Sequence, residues 1–293
     1  MFEAFAQRTI TVESPTGPQL INFRIGGNGP PLLLLHGYPQ THVMWHAVAP
    51  RLIGNRTVVC ADLRGYGDSG VAESNRGSGY TKRVMAGDMI ALMTDLGFER
   101  FAVCGHDRGG RVAYRMALDH ADIITKLAVL DINPTSEYFK VTSRDFVKKI
   151  YHWYFLSQPT DLPEKLIGPS ATYYLTETMQ RWAAPRFEFA PEAMAEYLRC
   201  GTQPDRIHAA CEDYRAGATA DNAHDLVDEV SGIKIACPVL LLYGQLGIST
   251  GSGDPAAVWR KWADNVTAKG LRAGHFVAEE APEETIAALE IFL

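Results

Sequence analysis

The sequence predicts an α/β fold: a mostly parallel, doubly wound sheet with a helical cap inserted into it. Three observations predict it. Short, largely apolar runs at 31–35, 57–62, 101–104, 127–132 and 239–243 read as buried strands, with 266–271 as the expected last strand. Most are separated by helical stretches, the alternation that builds parallel sheets. Between about 134 and 223 that alternation stops. Aromatics crowd there (Tyr138, Trp153, Tyr173, Trp182) and no buried strand is expected. Residues 1–133 and 224–293 are therefore assigned to the sheet domain and 134–223 to the cap.

In chain order, 9–13 and 21–25 form an expected hairpin. The turn Gly26-Gly27-Asn28-Gly29-Pro30 then feeds the strand 31–35. His36-Gly37-Tyr38-Pro39 follows that strand, at the end where open α/β sheets hold ligands. After the strand 57–62 and a helix over 81–96 comes the stretch around which the chain is organised, FAVCGHDRGGRVAYR. Its strand 101–104 and a helix over 112–118 flank Gly105-His106-Asp107-Arg108-Gly109. This is the frame of a nucleophile elbow, a sharp strand-to-helix turn, with aspartate in the place of serine. Such a turn sets a carboxylate at a helix N-terminus, where negative charge is favoured.

Composition narrows the function. The chain has 293 residues, 46% of them hydrophobic and 21% charged, with a net charge of -6. No basic cluster suggests nucleic acid, no apolar run is long enough to span a membrane, and no leader segment is evident. The cytoplasm is the expected compartment. Five cysteines without CxxC spacing read as reduced thiols. No metal or cofactor is expected: HVMWH, with His42 and His46, lacks the glutamate of a zinc motif, and Gly65–Gly70 fits GxGxxG without the helix such a site requires.

The chemistry centres on Asp107. A carboxylate nucleophile leaves an ester on the enzyme, which water must then clear. His275, in Ala273-Gly274-His275-Phe276 after the last strand, is the candidate base. Its orienting acid is expected to be Asp131, at the end of strand 127–132, with Asp254 in a later loop as the alternative. Backbone N–H groups of Tyr38 and Arg108 are the candidate oxyanion donors. Arg108 and Arg111 suggest an anionic substrate. Two like charges about 4 Å apart repel by about 4 kcal/mol at an effective dielectric of 20, and two guanidiniums offset that by clamping a carboxylate. A helix-surface salt bridge is the plainer role of an arginine here, and it suits Arg115 better.

With GHDRGGR, LDINPT and GHF in view, the chain resembles the fluoroacetate dehalogenases of the α/β-hydrolase superfamily over essentially its full length. The resemblance implies an α/β-hydrolase fold and hydrolysis of haloacetates to glycolate and halide. Asp107 would be the nucleophile, Arg108 and Arg111 the substrate clamp, and Asp131 and His275 the pair that hydrolyses the ester. It also implies a halide site at His152 and Trp153 of YHWYF and Tyr214 of CEDYR, a homodimer, and a small haloacid as the only ligand. Tyr38 departs from the phenylalanine expected in the HGxP loop, adding a hydroxyl near the pocket mouth. Epoxide hydrolases share the elbow, but they carry tryptophan after the nucleophile and a pair of lid tyrosines, which Tyr154 and Tyr214 could imitate. A silent ligand receptor on the same fold is the remaining alternative.

Overall fold

The computed structural model describes residues 1–293. Eight strands form one sheet: β1 (Ala6–Ser14), β2 (Gly17–Gly26), β3 (Pro31–Leu35), β4 (Thr57–Ala61), β5 (Phe101–His106), β6 (Ile124–Leu130), β7 (Val239–Gly244) and β8 (Val266–Leu271). Their spatial order is β1-β2-β4-β3-β5-β6-β7-β8. The opening hairpin is antiparallel and β2 pairs antiparallel with β4, whereas β4 through β8 run parallel. The central strands are the apolar runs of the sequence. Leu32 to Leu35 are fully buried and every residue of β5 is buried. Each such leucine contributes roughly 1.5–3 kcal/mol by leaving water. β8, at the edge, alternates between half-buried and exposed residues and carries Lys269, which discourages pairing with another chain.

The chain leaves β3 in one direction to make β4, then returns to β3's other side as β5. This reversal is the topological switch point, where the loops after β3 and β5 diverge and open a crevice. Leu35 pairs with Gly105, so the HGYP loop and the elbow leave the sheet side by side.

Between β6 and β7 there is no strand. The chain forms a series of helices from Thr135–Phe139 to Asn222–Val230, including Tyr151–Leu156, Ala171–Trp182 and Pro204–Ala216. The last of the series runs past residue 223 and packs back on the core. Asp225 and Asp228 pair with Arg115 of the helix Asp107–Asp119. Arg115 makes the expected bridge within its own helix, to Asp119 at 3.1 Å, but it is buried because two further partners arrive more than a hundred residues later. No helix is long and apolar enough to cross a membrane.

Candidate active site

The helix expected from residue 112 begins at Asp107. Gly109 and Gly110 are poor helix formers, but here the backbones pack too closely for side chains. A Cβ on Gly109 would lie 2.3 Å from the His36 carbonyl oxygen, and one on Gly37 would lie 2.5 Å from Cβ of Asp107. Asp107 itself has φ 44°, the strained conformation of an elbow residue. It is buried, at the positive end of a helix macrodipole. Burial pushes its carboxyl pKa up, but its electrostatic neighbours, His275 and Arg111 foremost, outweigh this and hold it below the ordinary value. The group is an anion at neutral pH.

Tyr38 N–H donates to Asp107 Oδ2 at 3.1 Å. This holds Oδ2, while Oδ1 receives no hydrogen bond from this amide. The second expected oxyanion donor, the Arg108 amide, makes no bond to this carboxylate in the resting site. The Tyr38 side chain lines a pocket. It is buried edge-on to Tyr214 at 5.4 Å, and it forms one wall of an apolar cleft with Leu156, Leu175 and Ile207.

His275 is buried, its Nδ1 2.6 Å from Asp131 Oδ2. Asp131, at φ 47° just past β6, also accepts from Ile248 N–H at 2.9 Å and the Ser249 hydroxyl at 2.7 Å. With Nδ1 donating to the carboxylate, Nε2 is left as an acceptor, and no protein group occupies it. Asp254, the alternative acid, is exposed and caps the helix Pro255–Trp262, accepting from Ala256 N–H at 3.0 Å. One neighbour went unnoticed in the sequence. His106, within the elbow, has Nε2 2.9 Å from the His275 carbonyl and its ring 4.5 Å from the His275 ring. Burial lowers its pKa to about 3, so the ring is neutral and donates through Nε2, steadying the His275 loop.

Neither arginine pairs with Asp107. Arg108 Nε and Nη2 bond the Asp213 carboxylate at 2.9 and 2.6 Å, leaving Nη1 without a partner. Arg111 donates from Nη1 to the Asn133 carbonyl at 2.9 Å and Thr135 Oγ1 at 3.1 Å, while Nε and Nη2 have no partner. Both are fully buried. Their planes meet aromatic faces: Arg108 lies 4.4 Å from the Tyr214 ring, and Arg111 lies 4.4 Å from Trp153 and 4.8 Å from Tyr138. Cation–π contact compensates part of the lost hydration.

His152, Trp153 and Tyr214 are buried on this same cluster. The His152 ring lies 5.6 Å from Tyr214, and Trp153 lies 5.9 Å from it. Burial drives the His152 pKa down to about 3 despite the opposing charge of Asp107, so this imidazole is neutral. Nδ1 of His152 and the Tyr214 hydroxyl have no protein partner. Tyr154 is 38% exposed, whereas Tyr214 is 1% exposed. No group of three or more His, Cys, Asp and Glu is arranged to hold a metal.

An elbow aspartate at a switch point, backed by a histidine and a second aspartate, is matched by a profile described as the alpha/beta hydrolase fold over residues 30–282. The chain belongs to that family. Across its whole length it is 43% identical to a fluoroacetate dehalogenase of Burkholderia sp, covering 95% of that protein. It is 33% identical to a soluble epoxide hydrolase of Corynebacterium sp. (strain C12), with 93% of each chain covered. Among solved structures, a candidate alpha/beta hydrolase of Nostoc sp PCC 7120 is 50% identical. It superposes with a TM-score of 0.95 over 100% of this chain and 99% of that one. This hydrolase thus has both dehalogenase and epoxide hydrolase relatives, and its own residues must separate the two.

Proposed function

We propose that this hydrolase converts haloacetates, fluoroacetate among them, to glycolate and halide through an ester on Asp107. One observation carries the reading: two buried guanidiniums, beside the nucleophile, hold N–H groups without partners. Unpaired buried donors on a cation are costly, and a substrate carboxylate relieves that cost by bidentate bonding. An epoxide offers no such group.

In the reaction, the free oxygen of Asp107 attacks the carbon that bears the halogen. The carbon–halogen bond breaks, its electron pair leaves with the halide, and an ester forms. The halide departs towards His152, Trp153 and Tyr214, whose N–H and O–H groups replace its water. Water then gives a proton to His275 Nε2 and attacks the ester carbonyl, whose oxygen is held by Tyr38 N–H. Asp131 keeps Nε2 free as the base. The bond to the glycolyl oxygen then breaks, that oxygen takes the proton back from His275 and leaves as the glycolate hydroxyl, and the regenerated Asp107 carboxyl releases the second water proton to solvent.

Epoxide hydrolysis, the activity named for the Corynebacterium relative, needs two phenols on one oxygen, and the exposure of Tyr154 counts against it. The test is to assay the enzyme with fluoro-, chloro- and bromoacetate and with styrene oxide. Halide release is expected with the acids, and His275→Ala is expected to accumulate a carboxymethyl ester on the Asp107 peptide. Diol from styrene oxide, with no halide from any acid, would overturn the reading.

A further inference from the structure

Asp213 is a residue the proposed reaction does not use, yet its hydrogen bonding is saturated. Oδ1 receives Lys82 Nζ and Arg108 Nη2, and Oδ2 receives Arg108 Nε at 2.9 Å and the Tyr66 hydroxyl at 2.7 Å. Its backbone carbonyl takes a further bond from Arg108 Nη2 at 2.7 Å. The carboxylate is fully buried. Burial opposes its charge, but Arg108 and Lys82 hold its pKa well below the usual range. Asp213 lies on the helix Pro204–Ala216, next to Tyr214, and Lys82 opens the helix Lys82–Asp95. One carboxylate thus ties the nucleophile's neighbour to a helix of the inserted segment and a helix of the core.

The guanidinium is a rigid fork, so fixing Nε and Nη2 fixes where Nη1 points. On the other side the chain leaves no slack. A Cβ on Gly217 would stand 3.2 Å from Arg108 Nη2 and 3.3 Å from Nη1. We propose that Asp213, braced by Lys82 and Tyr66 and flanked by Gly217, is a positioning residue that presents Arg108 Nη1 to the substrate carboxylate and keeps the guanidinium off Asp107. This rests on the proposed haloacetate reading, because it assumes that an anion meets Nη1. Arg108 then acts mainly as an aimed donor with its charge already countered, and Arg111, bonded only to a carbonyl and a hydroxyl, is the main attracting charge.

The test uses the full chain, with chloroacetate as substrate and acetate as an unreactive carboxylate ligand. Asp213→Asn keeps the shape and frees the guanidinium. KM for chloroacetate and Kd for acetate are both expected to rise by about tenfold or more. Lys82→Met with Asp213→Asn removes one buried charge of each sign. Thermal stability is expected to recover in this double variant while both constants stay raised. Unchanged constants in Asp213→Asn overturn the proposal. Restored constants in the double variant also overturn it, since charge balance would then be the whole role. If Asp213→Asn fails to fold, Gly217→Ala decides by displacing the guanidinium without removing a charge: a weaker acetate affinity supports the proposal and an unchanged one overturns it. A parent enzyme that binds acetate but releases no halide sinks the proposed reaction and leaves the Asp213 comparison intact. A parent that binds no acetate overturns the proposal.

Discussion

Replacing Arg111 with leucine tests the anion reading most directly. The side chain is fully buried, with two nitrogens free for a ligand and a third on the Asn133 carbonyl and Thr135. Two charge-assisted bonds of about 1.5–3 kcal/mol each set the loss for a carboxylate substrate at roughly 3–6 kcal/mol. At 1.36 kcal/mol per decade, kcat/KM for chloroacetate should fall between about a hundredfold and ten-thousandfold. Chloroacetamide, which is neutral, should lose about one decade or less, the scale of one neutral hydrogen bond. The nucleophile gains rather than suffers. Arg111 ranks after His275 among the influences that lower the Asp107 pKa, so its removal makes the carboxylate more basic. Stability should drop by about 1–3 kcal/mol for the Asn133 carbonyl left unpaired, and a melting curve reads that separately. The assay is chloride release from the acid and the amide, each over a range of concentrations. Equal losses on both substrates would show that Arg111 supports the fold and not a carboxylate.

Asp131→Asn should slow ester hydrolysis by about ten-thousandfold through the wrong histidine tautomer, leaving alkylation largely intact. Asp254→Asn should cost only a helix cap, about 1 kcal/mol of stability, and rapid-quench kinetics on both variants separates the two acids. Trp153→Phe should depress fluoride release relative to bromide release by roughly 3 kcal/mol, the worth of one donor to concentrated charge; an unchanged ratio reduces Trp153 to packing. Glu279, buried and accepting from Tyr197 at 3.0 Å and from Gln40, has its pKa raised by burial from 4.5 to about 8. The folded chain then keeps a proton that the unfolded chain releases above its ordinary pKa, so the stabilisation present below 4.5 is lost as pH rises to 8. Glu279→Gln removes that dependence, and its melting temperature relative to the parent should rise from pH 5 to pH 8, on the order of 1.4 kcal/mol per pH unit; a constant difference refutes it.

The central strands were legible because burial on both faces erases the period of two and leaves plain apolar runs such as Leu32–Leu35. The elbow, Asp131 and His275 were legible because each sits where a strand ends, and strand ends in a parallel sheet converge on one edge. The start of the helix at Asp107 was not. Propensity argued against Gly109 and Gly110, and the close approach of the His36 carbonyl that demands Gly109 is a tertiary fact. The exchange between Arg108 and Asp213 was hidden for a related reason. The partner lies 105 residues away, on a helix whose docking no local pattern specifies. Spacing alone could not single out His152, Trp153 and Tyr214 either, since an aromatic in a helix most often packs a core. What marks His152 and Tyr214 is a polar atom left without a partner in a buried place, and Trp153 is marked by its contact with the Arg111 guanidinium.

The placement of charge also bears on why the departing halide would meet neutral donors and not a third arginine. In the proposed first step the net charge of the site does not change. Asp107 loses its negative charge to an ester bond, and the halide acquires it a short distance away. A cation at the halide would hold the product ion after the bond has broken. Charge-assisted bonds are about twice as strong as neutral ones, so release would slow as alkylation sped up. Neutral donors stabilise the charge as it concentrates and hold it less tightly once formed. His152, its pKa lowered by burial to about 3, is neutral at neutral pH, and the Tyr214 phenol, whose pKa burial raises, keeps its proton there. Burial, which makes these side chains look like ordinary lid packing, is thus also what keeps them donors without charge.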